Sequence, residues 1–215
     1  MVVVGHPRPA SLNHAVAAAV AEAFRVRGAT THLHDLYAEG FDPVLRAEET
    51  YTAGDEATEL LARGGDRLVQ QHRGHLRAAS VLAVVHPNWW GKPPAMVAGW
   101  MDRVLVPGVA YKLEDAGGVP RTLLTLDAVL VVNTSDTTPE RESALFGDPL
   151  DDIWRRCVGT YLGAPTFERR VLRVVAESDA ATRENWLAEI GAVATGLLDV
   201  EGPGRVTDPA DPARA

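Results

Sequence analysis

Five consecutive apolar residues, Val81-Leu82-Ala83-Val84-Val85, run into a segment that no β-ladder can absorb, His86-Pro87-Asn88-Trp89-Trp90-Gly91-Lys92-Pro93-Pro94. An unbroken apolar run is the pattern of a parallel strand covered on both faces. Proline lacks the donor that a ladder needs and restricts the residue before it, so the strand has to stop there. The chain then predicts a helix from Pro94, where a missing N–H in the first turn costs nothing. Met96, Trp100 and Val104 form one stripe on that helix, with Val97, Met101 and Leu105 beside it. Strand, loop and helix in this order put the loop at the carboxyl end of a central strand. In open α/β sheets, ligands bind at that end.

The chemistry of the loop narrows the ligand. Two adjacent indoles, Trp89 and Trp90, and three prolines make a stiff wall suited to a flat aromatic ring. A stacked ring pair adds about 0.5–1.5 kcal/mol beyond area burial. A loop pinned by proline also holds its free N–H groups at set points, which suits a ring edged with carbonyls and nitrogens. The same residues fit a plainer reading as core or interface aromatics, because exposed aromatic patches often mark interfaces.

The rest of the chain repeats the strand–helix pattern. Val2-Val3-Val4 reads as a short buried strand, Gly5 to Ser11 as its loop, and Leu12 to Arg27 as a helix closed by Gly28. Ser11 stands at the N-cap, so the free N–H groups of the first turn face the loop and, with the helix dipole, form an anion site. His6 and Arg8 add positive or hydrogen-bonding character. Neither G-x-G-x-x-G nor a Walker A pattern occurs, so neither nucleotide motif applies. Thr31 to Leu36 predicts the second strand. Arg46 to Arg77 is polar and broken by Gly64-Gly65, with a helix from Asp66 to Arg77 on which His72 and His75 face solvent.

Thr122 to Val132 predicts the fourth strand, feeding Asn133-Thr134-Ser135-Asp136-Thr137-Thr138-Pro139. These side chains suit hydrogen bonds to the polar edge of a ring and equally suit an unliganded turn. Asp148 then caps a helix with Pro149 first, an apolar face of Ile153, Trp154, Cys157, Val158, Tyr161 and Leu162, and Gly163 at its end. Phe167 to Val175 is the fifth strand, with Arg169, Arg170 and Arg173 exposed near an edge. Ser178 or Asp179 caps a last helix to Leu198. Residues 1–200 form one domain. Residues 201–215, rich in Pro, Gly, Asp and Ala, predict a disordered tail. Alternating strands and helices mean a three-layer sandwich around a parallel sheet in order 2-1-3-4-5. Strands one and three then flank the switch point, and the loops His6–Asn13 and His86–Lys92 converge.

Charge and composition remove several classes. Net charge is −8, from 21 basic and 29 acidic residues, with no basic block, so nucleic-acid and anionic-membrane binding lack electrostatic support. One cysteine, Cys157, excludes an internal disulfide and fits a reducing compartment. No apolar run approaches the roughly 20 residues of a membrane span. Strand one begins right after Met1, leaving no room for a signal peptide, so a cytoplasmic location is expected. His32-Leu33-His34-Asp35 puts two imidazoles on one strand face, but a third and fourth ligand are missing from the local sequence, and no metal site is expected.

Several strings resemble one family. His86-Pro87-x-Trp89-Trp90-Gly91, Pro94-Ala95, Gly99-Trp100-x-Asp102-Arg103-Val104 and Gly108-x-Ala110-Tyr111 are similar to the NAD(P)H:quinone oxidoreductases. That group includes DT-diaphorase, the modulator-of-drug-activity proteins and ancillary subunits of potassium-efflux systems. Asp35-Leu36-Tyr37-Ala38-x-Gly40-Phe41-Asp42-Pro43 matches as well. His6, Ser11 and Asn13 match the family's His-x-x-x-x-Ser-x-Asn turn, which holds the flavin's phosphates. The resemblance implies a flavodoxin-like fold and FAD as cofactor, with FMN the alternative. Ser178-Asp179-x-x-Thr182-Arg183 is similar to the last helix start in FAD-binding members, where an Arg meets the adenylate half.

The same resemblance implies hydride passage from NAD(P)H through bound flavin to a quinone or similar flat acceptor, in ping-pong order. His6, Ser11, Leu12 and Asn13 would hold phosphates, and Pro87, Asn88, Trp89, Trp90 and Gly91 the ring. Asn133, Thr134, Ser135 and Asp136 would meet its polar edge. A homodimer is implied, with Tyr111 reaching an acceptor pocket that Phe146 also borders. The family's relay residues are absent: the Tyr position falls near Glu140 and the His position at Phe146, so no catalytic residue is assigned. That departure leaves the quinone preference open. Two other readings stand beside it, a flavin-binding regulatory subunit of a transporter and a flavodoxin-like electron carrier.

Overall fold

The computed structural model describes residues 1–50, 64–112 and 120–200. Its centre is a five-stranded parallel sheet of β1 (Val2–Val4), β2 (Leu33–Asp35), β3 (Val81–Pro87), β4 (Ala128–Ser135) and β5 (Thr166–Arg173). The order is β2-β1-β3-β4-β5, as the alternation of elements predicted. In register, Val3 pairs with Val84 and Val84 with Val131.

Alternation along these strands divides the core in two. Val3, Leu82, Val84, Val129 and Val131 face one cluster, with Trp100, Val104, Leu150 and Trp154. Val2, Val4, Ala83, Val85, Leu130 and Val132 face the other, with Val16, Val20 and Phe24. Two-sided burial explains why β3 and β4 read as continuous apolar runs rather than alternating ones. The first face is covered by α2 (Arg67–Arg77), α3 (Ala95–Val104) and α5 (149–162), and the second by α1 (Leu12–Val26) and α6 (Ala180–Leu197). A short helix, α4 (Pro139–Leu145), which the sequence reading missed, follows β4. Side chains of Ser11, Asp66, Thr138, Asp148 and Asp179 cap α1, α2, α4, α5 and α6 by accepting first-turn N–H groups. Among the described residues no helix is long and apolar enough to cross a membrane.

Several expectations need correction. The fourth strand starts at Ala128, not Thr122. Asp127 N–H is drawn to the Ser80 carbonyl at 2.7 Å, which sets the start of pairing. Thr122 lies instead in a two-residue ribbon against Tyr111, and Leu124 and Leu126 fill the core without a ladder. The second strand spans three residues rather than six, and the fifth ends at Arg173. His72 is fully buried, not solvent-facing, because Trp100 and Glu39 both bond its ring. His75 is half-buried against His32, with the rings stacked 3.6 Å apart. Cys157 is exposed rather than part of the apolar face, since α5 is wound as a π-helix over Asp152–Val158 and its positions rotate. The predicted tail at 201–215 lies outside the described residues.

Candidate functional site

Three loops leave the carboxyl ends of β1, β3 and β4 side by side, and a cleft of about 410 Å³ opens between them. Its lining takes His6, Arg8, Ser11, Leu12 and Asn13 from the first loop and Pro87, Asn88 and Trp89 from the second. Thr134, Ser135 and Asp136 come from the third, and Val175 closes the far side. Ten of the residues expected at a ligand therefore meet in one place. The loops are tied to each other directly. The Asn13 amide donates to Thr134 Oγ1 at 3.0 Å, and Asn88 N–H donates to the Thr134 carbonyl at 2.7 Å.

At one end of the cleft stands the first turn of α1, whose leading N–H groups have no partner within the helix. Ser11 Oγ accepts the His14 N–H at 3.4 Å and lies 2.8 Å from His14 Nδ1. His14 Nε2 in turn meets Asp35 Oδ2 at 2.9 Å. His6 accepts the Arg8 N–H on Nδ1 at 3.1 Å, and burial lowers its pKa. At the other end, the Trp89 indole leans on His6 with 5.9 Å between ring centroids and keeps 40% of its surface exposed.

Trp90 does not share that cleft. It sits at φ 62°, is 95% exposed, and lines a neighbouring cavity of about 490 Å³ with Asn88, Gly91, Ser135, Asp136, Thr137, Glu142, Phe146 and Pro149. Gly91 turns the loop at φ 70°, and a Cβ there would sit 2.6 Å from Pro149 Cγ, so the loop rests on the start of α5. Asn133 also departs from expectation. Its side chain points inward, donating to the His86 carbonyl at 3.3 Å and accepting from Arg169 Nε at 2.8 Å. Arg183 is exposed and folds back to Ser178 Oγ at 2.9 Å and to the carbonyl of the cleft residue Val175. Tyr111 lies apart, edge-on to Tyr161 at 4.6 Å, in a groove of about 370 Å³ that also touches Met101, Leu105 and Val106.

The sequence reading placed Asn88 at the ring but missed the bonds by which it and its partners hold the tryptophan loop. Asn88 Oδ1 accepts the Gly91 N–H at 3.0 Å, and its amide donates at 3.0 Å to Glu142, which is buried and paired with Arg173. Beneath the loop, His86 is fully buried. Its Nδ1–H donates to the Pro87 carbonyl at 2.9 Å, leaving Nε2 to accept the Trp154 indole N–H at 2.8 Å. Burial pushes this imidazole down to about 4. Arg169, expected exposed, grips Asp148 through two N–H groups at 2.7 and 3.0 Å. Burial alone would raise the Asp148 carboxyl, but the guanidinium outweighs it and holds the group below its ordinary value. A Thr-Pro helix start followed by Glu142 could have signalled α4; nothing local signals that the edge arginines turn inward.

A second cluster sits away from the cleft. His34 Nδ1 and His72 Nε2 flank the two oxygens of Glu39 at 2.8 and 3.0 Å, and the three ligand atoms lie within 4.8 Å of one another. The partners absent from the local sequence around His34 are thus brought in by the fold. Hydrogen-bond direction argues for a proton-ordered chain here. Trp100 donates to His72 Nδ1 at 3.0 Å, which leaves Nε2 protonated and without a lone pair for a metal. Burial alone would raise the Glu39 carboxyl, but hydrogen bonds from the two imidazoles carry it down to about 2.

Sheet order, the three-loop cleft and the paired faces define a flavodoxin-like protein. Residues 1–193 match the family described as having a flavodoxin-like fold, and the chain belongs to it. Among curated proteins, it is 29% identical over 120 residues to an uncharacterized NAD(P)H oxidoreductase of Haemophilus influenzae, covering 55% of this chain and 56% of that protein. It is 30% identical over 123 residues to the ribosyldihydronicotinamide dehydrogenase [quinone] of Rattus norvegicus, covering 52% of each. The matches thus span about half the length of these relatives. The solved NAD(P)H:quinone oxidoreductase from Methanothermobacter marburgensis superposes with a TM-score of 0.72 at 23% identity, over 92% of this chain and 95% of that one, a likeness of fold.

Proposed function

We propose that this chain is a flavin-dependent NAD(P)H oxidoreductase that passes hydride to a quinone or similar flat aromatic acceptor in ping-pong order. The observation that carries the reading is the convergence of an anion-ready helix start and an aromatic wall on one cleft. A phosphate suits the first turn of α1, where N–H groups and the helix dipole point outward. A flat ring suits the exposed face of Trp89, with Asn88, Thr134 and Ser135 supplying polar groups along its edge. FAD is the proposed form, because Arg183 lies beside Val175 at the cleft's far side, where an adenylate half would extend. FMN is the alternative.

Bound flavin would supply hydride acceptance from NAD(P)H and donation to the second substrate, and the protein's part is binding, orientation and exclusion of water. Trp90, Phe146 and Pro149 give the neighbouring cavity apolar walls for the acceptor. Phe146 has no proton to give, so this chain orients the acceptor without the Tyr/His relay. We assign Tyr111 to the acceptor pocket of a partner in a two-fold dimer, since in its own chain it faces a separate apolar groove. The test is direct. Purified protein should be yellow, release about one flavin per chain, and oxidise NAD(P)H faster when a quinone is added. Protein that stays colourless after incubation with both FAD and FMN would sink the proposal.

A further inference from the structure

The second cavity, which the flavin reading gives to the acceptor, has walls of one electrical sign. Its charged side chains are Asp136 and Glu142, and among the described residues no Lys, Arg, His or Tyr lines it. The two acids differ in what holds them. Glu142 is buried, paired with Arg173 and bonded to the Asn88 amide, so its charge is offset from within the fold. Arg173 also donates to the Thr137 carbonyl at 3.4 Å and so stands behind the wall rather than in it. Asp136 is exposed, and its Oδ1 accepts the Ala176 N–H at 2.8 Å, which fixes the carboxylate after β4. No cation among the described residues pairs with it. One cation for two carboxylates leaves the cavity negative.

The same walls lack a proton to release. Ser135 and Thr137 bring hydroxyls, which bond but do not ionise near neutral pH. A neutral quinone that receives hydride carries a negative charge until a proton reaches it, and here that charge would develop facing Asp136. A flat acceptor that arrives as a cation has the opposite balance, since hydride cancels its charge and no proton is required. Trp90, 95% exposed on this cavity, offers the ring face on which cations sit best. A phenol contributed by the partner's Tyr111 is neutral near pH 7 and leaves the sign of the cavity unchanged.

We propose that the acceptor is a flat aromatic cation, a ring system with a pyridinium- or iminium-type nitrogen, selected by Asp136 and the face of Trp90. The inference rests on the flavin reading above and narrows its acceptor. The step balances without a further reactant: NAD(P)H is oxidised, its hydride reaches the acceptor by way of the flavin, and a new C–H or N–H bond forms there as the positive charge disappears. The product leaves neutral, so Asp136 no longer holds it.

Equilibrium dialysis of the flavin-loaded protein, without NAD(P)H, against methylene blue (a thiazine cation), menadione (a neutral quinone) and anthraquinone sulfonate (an anion) tests this apart from turnover. Methylene blue should bind most tightly and the sulfonate least, with the gap closing as salt is raised. With NAD(P)H added, kcat/KM should follow the same order. Because the probes also differ in ring size, the deciding quantity is how their ratio changes on substitution. Asp136→Asn keeps an oxygen for the Ala176 N–H, and should cut the affinity ratio of methylene blue to menadione by about tenfold, the scale of one charge near a protein surface. Glu140→Gln, which removes an exposed acid of α4 outside the cavity lining, should leave that ratio in place. Equal falls in the two variants would mean that the net charge of −8 draws the dye unaided, and would overturn the assignment. Flavin content is read in every variant. Asp136→Glu keeps the charge and should keep the ratio, so a Glu variant that behaves like the Asn variant also overturns it. A ratio that neither Asp136→Asn nor salt moves refutes the cationic class, while menadione turnover still upholds the flavin reading. Protein that binds no flavin and oxidises NAD(P)H with none of the probes sinks both.

Discussion

Acid should loosen this fold from beneath the tryptophan loop, and His86 sets the size of the effect. The imidazole is fully buried, with both nitrogens committed in the neutral form: Nδ1–H to the Pro87 carbonyl and Nε2 to the Trp154 indole. A proton can enter only at Nε2, where it would displace the Trp154 bond and charge a site next to Arg169. Its folded pKa is about 4 against an ordinary 6.5. A depressed imidazole favours the fold above pH 6.5 and loses that contribution as pH falls toward 4, because the unfolded chain binds the proton first. Between about pH 7.5 and 5 the loss is about 2 kcal/mol, at 1.36 kcal/mol for each pH step below 6.5. His72, also lowered by burial, adds to the slope in the same direction. His86→Gln isolates one from the other, since the amide oxygen can still accept from Trp154 but does not titrate. Urea unfolding at the two pH values should show wild type ahead at about pH 7.5, with the lead shrinking by about 2 kcal/mol at about pH 5. A lead that stays constant with pH would refute the assignment of this titration to His86.

Replacing Trp89 by Ala should raise the flavin dissociation constant by about 5- to 150-fold, the equivalent of about 1–3 kcal/mol for one stacked base. Trp90→Ala should leave flavin binding nearly unchanged and act on the acceptor's KM; fluorescence titration and steady-state kinetics separate the two, and equal flavin losses would contradict the division of the loop between two cavities. Tyr111→Ala should raise the acceptor's KM while flavin content holds. Light scattering from a fully active monomer would remove the dimer on which that expectation depends.

The sheet was readable from sequence because β3 and β4 are buried on both faces, and a short, valine-rich apolar run ended by proline or turn residues reads as a two-sided strand. Ser11, Asp66, Asp148 and Asp179 marked helix starts for an equally local reason: a cap acts within its own turn. Strand order alone brought the loops of the cleft together at the switch point, and the family resemblance named the ten of their residues that line it. It failed where a polar side chain is satisfied by a distant partner. His72 reads as a surface residue on α2 until Trp100 and Glu39 are brought to it. Arg169 and Arg173 read as solvated charges on an edge strand until Asp148 and Glu142 fold over them. Asn133 matched a ligand-facing loop, but β4 runs on to Ser135 and the strand turns its amide inward.

These distant partners bear on how the aromatic wall can work. Proline limits the backbone of the 86–94 segment but does not set which way an indole faces. The loop is held at three points: hydrogen bonds of His86 below and of Asn88 in the middle, and the close approach of Gly91 to Pro149. Two of the three end on an arginine of β5, through Asn133 to Arg169 and through Glu142 to Arg173. Each arginine faces a carboxylate that is buried or half-buried, and losing one partner would leave the other charge uncompensated at a cost far above that of a surface pair. The loop is therefore held before any ligand arrives, and little ordering cost is left for binding. Trp90 stands outside this arrangement, almost wholly exposed at a backbone angle few tryptophans adopt. An indole kept in water beside a rigid cleft is free to cover whatever enters the second cavity, and Phe146 on the opposite wall offers that occupant a further apolar ring.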